Sequence, residues 1–140
     1  MENSKYSSLS HNKTRLRYHF VFSTKYRRKC FDGIESQIKD CFSKAVQRSS
    51  KLKLLAFGVD RDHIHIVVSA PPSLSVAAIS RQIKQLTTRY AWETCESHLS
   101  NFYWGNKAGK LWSSGYFCET VGNISEDKVL SYVENQGNMD

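Results

Sequence analysis

The spacing of apolar residues along this chain switches repeatedly between two and about 3.6 residues, and the order of the switches admits few folds. Residues 16–26 (LRYHFVFSTKY) are rich in aromatic and β-branched types and read as a strand, with a basic exit at Arg27, Arg28 and Lys29. From residue 33 to about residue 50, Ile34, Ile38, Phe42, Ala45 and Val46 recur at spacings of three and four, the stripe of an amphipathic helix. Residues 51–59 and 63–69 are two apolar segments joined by Asp60-Arg61-Asp62, short enough for a hairpin between antiparallel strands, and Pro71-Pro72 ends the second. Leu74, Ala77, Ala78, Ile83, Leu86, Tyr90 and Ala91 mark a long second helix from residue 74 to about residue 96, with Ser73 or Ser75 available as its N-cap.

Residues 97–110 lack a clear period and hold Phe102, Tyr103, Trp104 and glycines, which predicts an ordered loop. Residues 111–121 read as a fourth strand. After Gly122-Asn123, Ser125 can cap a last helix whose first turn carries Glu126 and Asp127 against the positive end of the helix dipole, and Gly137 can stop it. The resulting order, β-α-β-β-α-β plus one helix, is an α+β, ferredoxin-like antiparallel sheet with an additional C-terminal helix. A chain of 140 residues buries one ordinary core, so residues 15–140 are expected to form a single domain behind a flexible tail of residues 1–14.

Lys and Arg number 20 against 13 Asp and Glu, a formal charge of +7, which favours a polyanion through counterion release without choosing DNA over RNA. Cys30, Cys41, Cys95 and Cys118 form no C-x-x-C pair and match no zinc module, so reduced thiols in a cytoplasmic protein are expected. No apolar run approaches the roughly 20 residues that span a bilayer, and no membrane association is expected.

His63-Ile64-His65 puts two imidazoles on one sheet face, where both can reach one cation, with Ile64 and Ile66 on the other. Taken alone, the pair also fits ordinary packed or surface histidines. Tyr132 and Gln136, four residues apart on the last helix, share a face, with Val129, Leu130 and Val133 around the other side. Taken alone, Tyr132 fits a core aromatic and Gln136 a solvated amide. His19 faces opposite Tyr18, Phe20 and Phe22. It reads as a core residue or as a neighbour supporting the metal site rather than as a ligand. Asp62 reads as the residue that opens the third strand, turned away from the histidines by alternation. His11 and His98 carry no site argument.

The pattern changes meaning when its parts are combined on one basic chain. Tyr18-His19-Phe20-Val21-Phe22, Lys25-Tyr26-Arg27-Arg28, Asp62-His63-Ile64-His65, Leu111-Trp112 and Tyr132-Val133-Glu134-Asn135-Gln136 together resemble the IS200/IS605-type single-tyrosine transposases of the HUH nuclease superfamily, over residues 16–136. The resemblance implies a DNA transposase that cleaves and rejoins single-stranded DNA at insertion-sequence ends. Tyr132 is the implied nucleophile, and His63, His65 and Gln136 the implied ligands of Mg²⁺ or Mn²⁺. Two neutral imidazoles and an amide oxygen leave positions on such an ion for a phosphate oxygen. The resemblance further implies a homodimer that binds subterminal DNA hairpins, with active sites that can be completed in trans by the partner's tyrosine helix.

Arg15, Arg17, Lys25, Arg27, Arg28 and Lys29 flank the first strand, and Arg81, Lys84, Thr88 and Arg89 line the second helix. With Tyr26, Phe102, Tyr103 and Trp104 they suit phosphate contacts combined with base stacking, although each cation alone also fits a solvated face. A rival reading is a non-catalytic RNA- or hairpin-binding module, or a silenced relative. His19-Phe20-Val21-Phe22 would then be the aromatic strand of an RNA-recognition fold of the same topology.

Overall fold

The computed structural model describes residues 14–122. Within them run β1 (Leu16–Ser23), α1 (Glu35–Gln47), β2 (Lys53–Val59), β3 (His63–Ala70), α2 (Val76–Leu99) and β4 (Phe117–Thr120). The strands form one antiparallel sheet in the order β2-β3-β1-β4, the ferredoxin-like arrangement that the apolar periods require. The tail up to residue 13 and the expected last helix, with Tyr132 and Gln136, lie outside the described residues.

Alternation divides the sheet. Tyr18, Phe20 and Phe22 of β1 and Ile64, Ile66 and Val68 of β3 turn to one face. There they form the core with Ile38, Phe42, Ala45 and Val46 of α1 and Ile79, Ile83, Tyr90 and Ala91 of α2. The face opposite the helices carries His19, Val21, His63 and His65, next to a small apolar group of Ala56, Val67, Leu55 and Val121. β3 pairs with a strand on each side and is buried along its whole length.

Of the two candidate caps of α2, Ser75 is the one used: its side chain accepts from the Ala78 amide at 3.0 Å. The helix runs three residues beyond the expected end at Glu96. Its last turn is anchored by buried Leu99 and by a hydrogen bond between His98 Nε2 and the Cys30 carbonyl at 2.8 Å.

The fourth strand is shorter than the apolar pattern predicts, Phe117–Thr120 rather than residues 111–121. Leu111 and Trp112 do run alongside the end of β1, through a single bridge between Thr24 and Trp112 and a bond from the Ser113 amide to the Ser23 carbonyl at 2.9 Å. The chain then leaves the ladder. The Ser113 and Gly115 carbonyls accept from Lys84 Nζ at 2.9 and 2.7 Å, so a side chain from α2 satisfies backbone groups that a strand would otherwise have paired.

Trp112 is the hub of the core. Its ring lies 5.8 Å from Phe22, 5.5 Å from Phe31 and 5.7 Å from Phe42, and its indole N–H donates to Thr87 Oγ1 at 3.0 Å. One side chain thus ties β1, α1, α2 and the segment before β4 together. Cys30, Cys41 and Cys95 are buried and free, and burial pushes the Cys30 and Cys41 thiols up to about 11, which makes them packing residues rather than nucleophiles. Among the described residues no helix is long and apolar enough to cross a membrane.

Trp112→Ala is expected to lower unfolding free energy by about 3–5 kcal/mol in urea denaturation. Trp104→Ala, at a side chain 62% exposed, should change it by less than about 1 kcal/mol. Comparable losses in the two variants would refute the hub.

Candidate active site

His63 and His65 open β3, and strand alternation turns both rings to the face without helices. Both are buried, each 4% exposed, and their ring centroids lie 5.0 Å apart at 74°. Each ring is held by its Nδ1 atom, and the two tethers differ.

Asp62, immediately before the strand, holds His63. Its Oδ1 lies 2.9 Å from His63 Nδ1, and its Oδ2 accepts from Arg27 Nε at 3.2 Å. Burial raises the Asp62 carboxyl, but the hydrogen bonds from His63 and Arg27 outweigh burial and hold it below the usual carboxylate range. An ionised carboxylate only accepts, so His63 Nδ1 carries the proton. Alternation suggests that Asp62 faces away from the histidines. The structure corrects this: the residue lies outside the regular strand, where the period of two no longer binds it, and its side chain folds back onto His63.

His65 is held from the sheet itself. β1 lies against β3 with Val21 opposite His65, which brings His19 diagonally beside His65. His19 Nε2 and His65 Nδ1 are 3.1 Å apart, with the rings within 19° of coplanar, as an in-plane lone pair requires. On its far side His19 stands opposite Glu119 of β4, and Glu119 Oε1 lies 3.3 Å from His19 Nδ1. Burial pushes the His19 imidazole below its ordinary value, outweighing the hydrogen bond and charge of Glu119. A neutral His19 that donates from Nδ1 to Glu119 can only accept at Nε2. His65 Nδ1 therefore carries a proton as well.

Both tethers have one consequence: the lone pairs of His63 and His65 sit on Nε2, the atom through which each would bind a divalent cation. Metal-bound histidines in proteins are oriented in this way by carboxylates and other acceptors behind the ring. The donor set therefore fits a metal. Among the described residues no group of three or more His, Cys, Asp or Glu side chains could hold one. Gln136 and Tyr132, the expected third ligand and nucleophile, lie outside the described residues.

The basic residues divide into three sets. Arg15 and Arg17 flank the start of β1, at the end of the sheet away from the imidazoles, and Arg15 is tied to Ser69 by bonds of 2.8 Å to Oγ and 2.9 Å to the carbonyl. Lys25, Arg27 and Arg28 follow β1 at the His63 end, where Arg27 reaches the site through Asp62. Arg81, Lys84 and Arg89 lie on α2, across the sheet from the imidazoles. Lys84 is engaged with two carbonyls, and burial lowers its ammonium below the ordinary range. Arg89 pairs with Glu93 at 3.6 Å. Of the aromatics expected to stack, Tyr103 is fully buried, its hydroxyl donating to the Lys25 carbonyl at 2.6 Å, whereas Tyr26 and Trp104 are exposed. Glu119, absent from the sequence reading, gives no local signal, because only strand pairing brings it to His19.

Near pH ~8, above the ordinary imidazole range, imidazole ¹H–¹⁵N spectra should report the Nδ1-protonated tautomer for His19, His63 and His65. Glu119→Gln should perturb His19 and His65 while leaving His63 unchanged. A His65 protonated at Nε2 would break the proposed order of donors.

Residues 12–136 match the family described as "Transposase IS200 like". The chain is 27% identical over 129 residues to the transposase for insertion sequence element IS200 of Salmonella typhimurium, covering 92% of this chain and 82% of that protein. It is 25% identical over 126 residues to the ISDra2 transposase TnpA of Deinococcus radiodurans, covering 86% and 84%. Among solved structures, a candidate transposase from Deinococcus radiodurans R1 superposes with a TM-score of 0.67 at 26% identity, covering 88% of this chain and 92% of that one. A REP-associated tyrosine transposase bound to a REP hairpin shares the fold, with a TM-score of 0.58 at 12% identity over 89% and 67% of the two chains. A match across nearly the whole chain, on a ferredoxin-like sheet bearing a tethered imidazole pair, means that the chain belongs to the IS200-like transposase family.

Proposed function

We propose that this transposase cleaves and rejoins single-stranded DNA at insertion-sequence ends by transesterification, with Tyr132 as nucleophile. The observation that carries the reading is the pair of buried imidazoles on one sheet face, each held at Nδ1 by an acceptor behind the ring, as metal-binding histidines are oriented. His63 and His65, with the Gln136 amide oxygen, would hold Mg²⁺ or Mn²⁺. Such an ion supplies Lewis-acid polarisation of the scissile phosphate and neutralises charge that develops during in-line displacement.

The covalent step belongs to the chain. The Tyr132 phenol oxygen attacks phosphorus, a P–O bond to tyrosine forms, and the bond to the 3′ oxygen breaks. The DNA 3′ oxygen leaves as a hydroxyl, and the phenol proton passes to a base or to solvent. The product is a 5′-phosphotyrosine, and attack by another 3′-OH reverses the step and rejoins a strand with no input from ATP. A phenol titrating near ~10 needs cationic surroundings to react at neutral pH. The chain's charge of +7 favours such surroundings.

Subterminal DNA hairpins are the proposed partner, by likeness to the REP-associated neighbour with its bound hairpin. A homodimer is the proposed assembly, with either copy's tyrosine serving the imidazole pair. The RNA-recognition alternative loses its main support: Phe20 and Phe22, the rings it would stack on bases, are fully buried under the helices, and His19 and Val21 occupy the other face.

Incubated with Mn²⁺ and a single-stranded oligonucleotide carrying its own element end, the protein should form a covalent adduct visible on denaturing gels. Tyr132→Phe should abolish the adduct, and an undiminished adduct in that variant would refute the nucleophile. His63→Ala and His65→Ala should each lose cleavage while retaining hairpin binding, and chelation of the metal should do the same to the wild-type chain. Asp62→Asn and Glu119→Gln should weaken Mn²⁺ binding by about 10–100-fold in calorimetry. Wild-type metal affinity in both would show that the tethers do not orient the ligands.

A further inference from the structure

The turn that follows β1 is strained where it exposes an aromatic ring. Tyr26 and Arg27 both adopt left-handed backbone, φ 61° and 53°, although neither is glycine. Such conformations are unfavourable for bulky residues and persist only when the surroundings over-determine them. Here they do. The Lys25 amide donates to the Leu111 carbonyl at 2.8 Å, and the Arg27 amide to the Thr24 carbonyl at 2.9 Å. The Tyr103 hydroxyl donates to the Lys25 carbonyl at 2.6 Å, and the Thr24 hydroxyl to the Arg28 carbonyl at 2.7 Å. The Arg28 guanidinium closes the frame on the Phe102 carbonyl.

What this frame presents is a Tyr26 side chain 55% exposed, in a ring of cations. Lys25 Nζ and Arg28 Cζ each lie 5.1 Å from its centroid, and Lys107 Nζ lies 5.6 Å away. Arg28 also lies 5.3 Å from the ring of exposed Trp104 and 5.4 Å from buried Tyr103. The guanidinium therefore lies within 5.4 Å of the centroids of three aromatic rings, two of them exposed and one buried.

We infer that Tyr26 and Trp104 form a stacking ledge for unpaired bases of single-stranded DNA, with Lys25, Arg28 and Lys107 as the positive charge that holds its phosphates. Inorganic phosphate or a carboxylate would use the cations and have no need of the rings. An apolar protein surface would use the rings and be penalised for desolvating the cations. An unpaired nucleotide offers both a π-face and a negative charge. The same turn carries Arg27, which reaches His63 through Asp62, so nucleotides on the ledge would lie next to the imidazole pair. The inference deepens the proposed transposase reading and rests on it for the identity of the strand.

Because φ 61° suits glycine, Tyr26→Gly removes the ring and relieves the strain together. In a full-length Tyr132→Phe background, which separates binding from chemistry, Tyr26→Gly and Trp104→Ala should each weaken binding of a fluorescent single-stranded oligonucleotide on the order of ten- to hundredfold. Tyr26→Phe should retain most of the affinity. The melting temperature of Tyr26→Gly should equal or exceed that of the parent. An oligonucleotide of the same length built from abasic sites should bind the parent weakly and be indifferent to both ring deletions. A blunt-ended duplex of two strands, which has no unpaired nucleotides, should bind parent and variants alike.

Wild-type single-strand affinity in Tyr26→Gly, or equal binding of the abasic strand, would overturn the ledge. So would an equal loss on the blunt-ended duplex. These outcomes are separable from the chemistry: a wild-type chain that forms the covalent adduct while the ledge variants bind normally keeps the transposase reading and loses only the ledge. Ring-dependent binding without an adduct would leave the ledge standing and remove the nucleophile.

Discussion

The antiparallel register of β1 on β3, with Phe22 opposite Ile64 and Val21 opposite His65, is the constraint on which the other features depend. A slip of one residue would exchange the two faces of β1, sending its phenylalanines away from the helices and His19 into the core. Burial of Phe20 and Phe22 against α1 and α2 makes that slip very unfavourable. The hydrophobic core on one face thus sets, at no separate cost, the geometry of the polar network on the other. Both ends of that network, Asp62 before β3 and Glu119 on β4, are positioned by pairings that the core has already selected.

The two imidazoles are oriented by different means, and the difference is physical. His63 is the first residue of its strand and takes its acceptor from its immediate chain neighbour. His65 lies within the ladder, where its own neighbours point to the other face, so its acceptor must come from an adjacent strand. A neutral histidine can fill that place because a carboxylate stands behind it on the next strand over. The result is a polar chain across β3, β1 and β4 in which each donor has an acceptor, the condition under which buried polar groups stabilise rather than weaken a fold.

The turn after β1 connects core, site and surface. Leu111 bonds to it and Trp112 packs against Phe22 just before it, Arg27 leads from it to Asp62, and Tyr26 projects from it. A sequence reading sees Lys25-Tyr26-Arg27-Arg28 as a basic strand exit with an aromatic in it. It cannot see that Arg28 is enclosed by rings while Tyr26 is left outside, because that depends on Tyr103 and Trp104 arriving from a loop far along the chain. The short β4 has a similar origin. Its apolar pattern is strand-like from residue 111 onward, and only Lys84, reaching over from α2, shows where the ladder ends.

Within residues 14–122, local periodicity alone determined the order of elements, the sheet topology it implies, and the fact that His63 and His65 share a face. Each of these follows from the pitch of a helix or the alternation of a strand within a single segment. Tertiary structure alone decided which imidazole nitrogen is tethered, that Asp62 turns back, that Glu119 supports His19, and which aromatics remain outside. The bonds concerned join residues as far apart as 46 and 100 positions. No period within a segment encodes such pairings; they exist only once the strands have been brought into register by the burial of the opposite face.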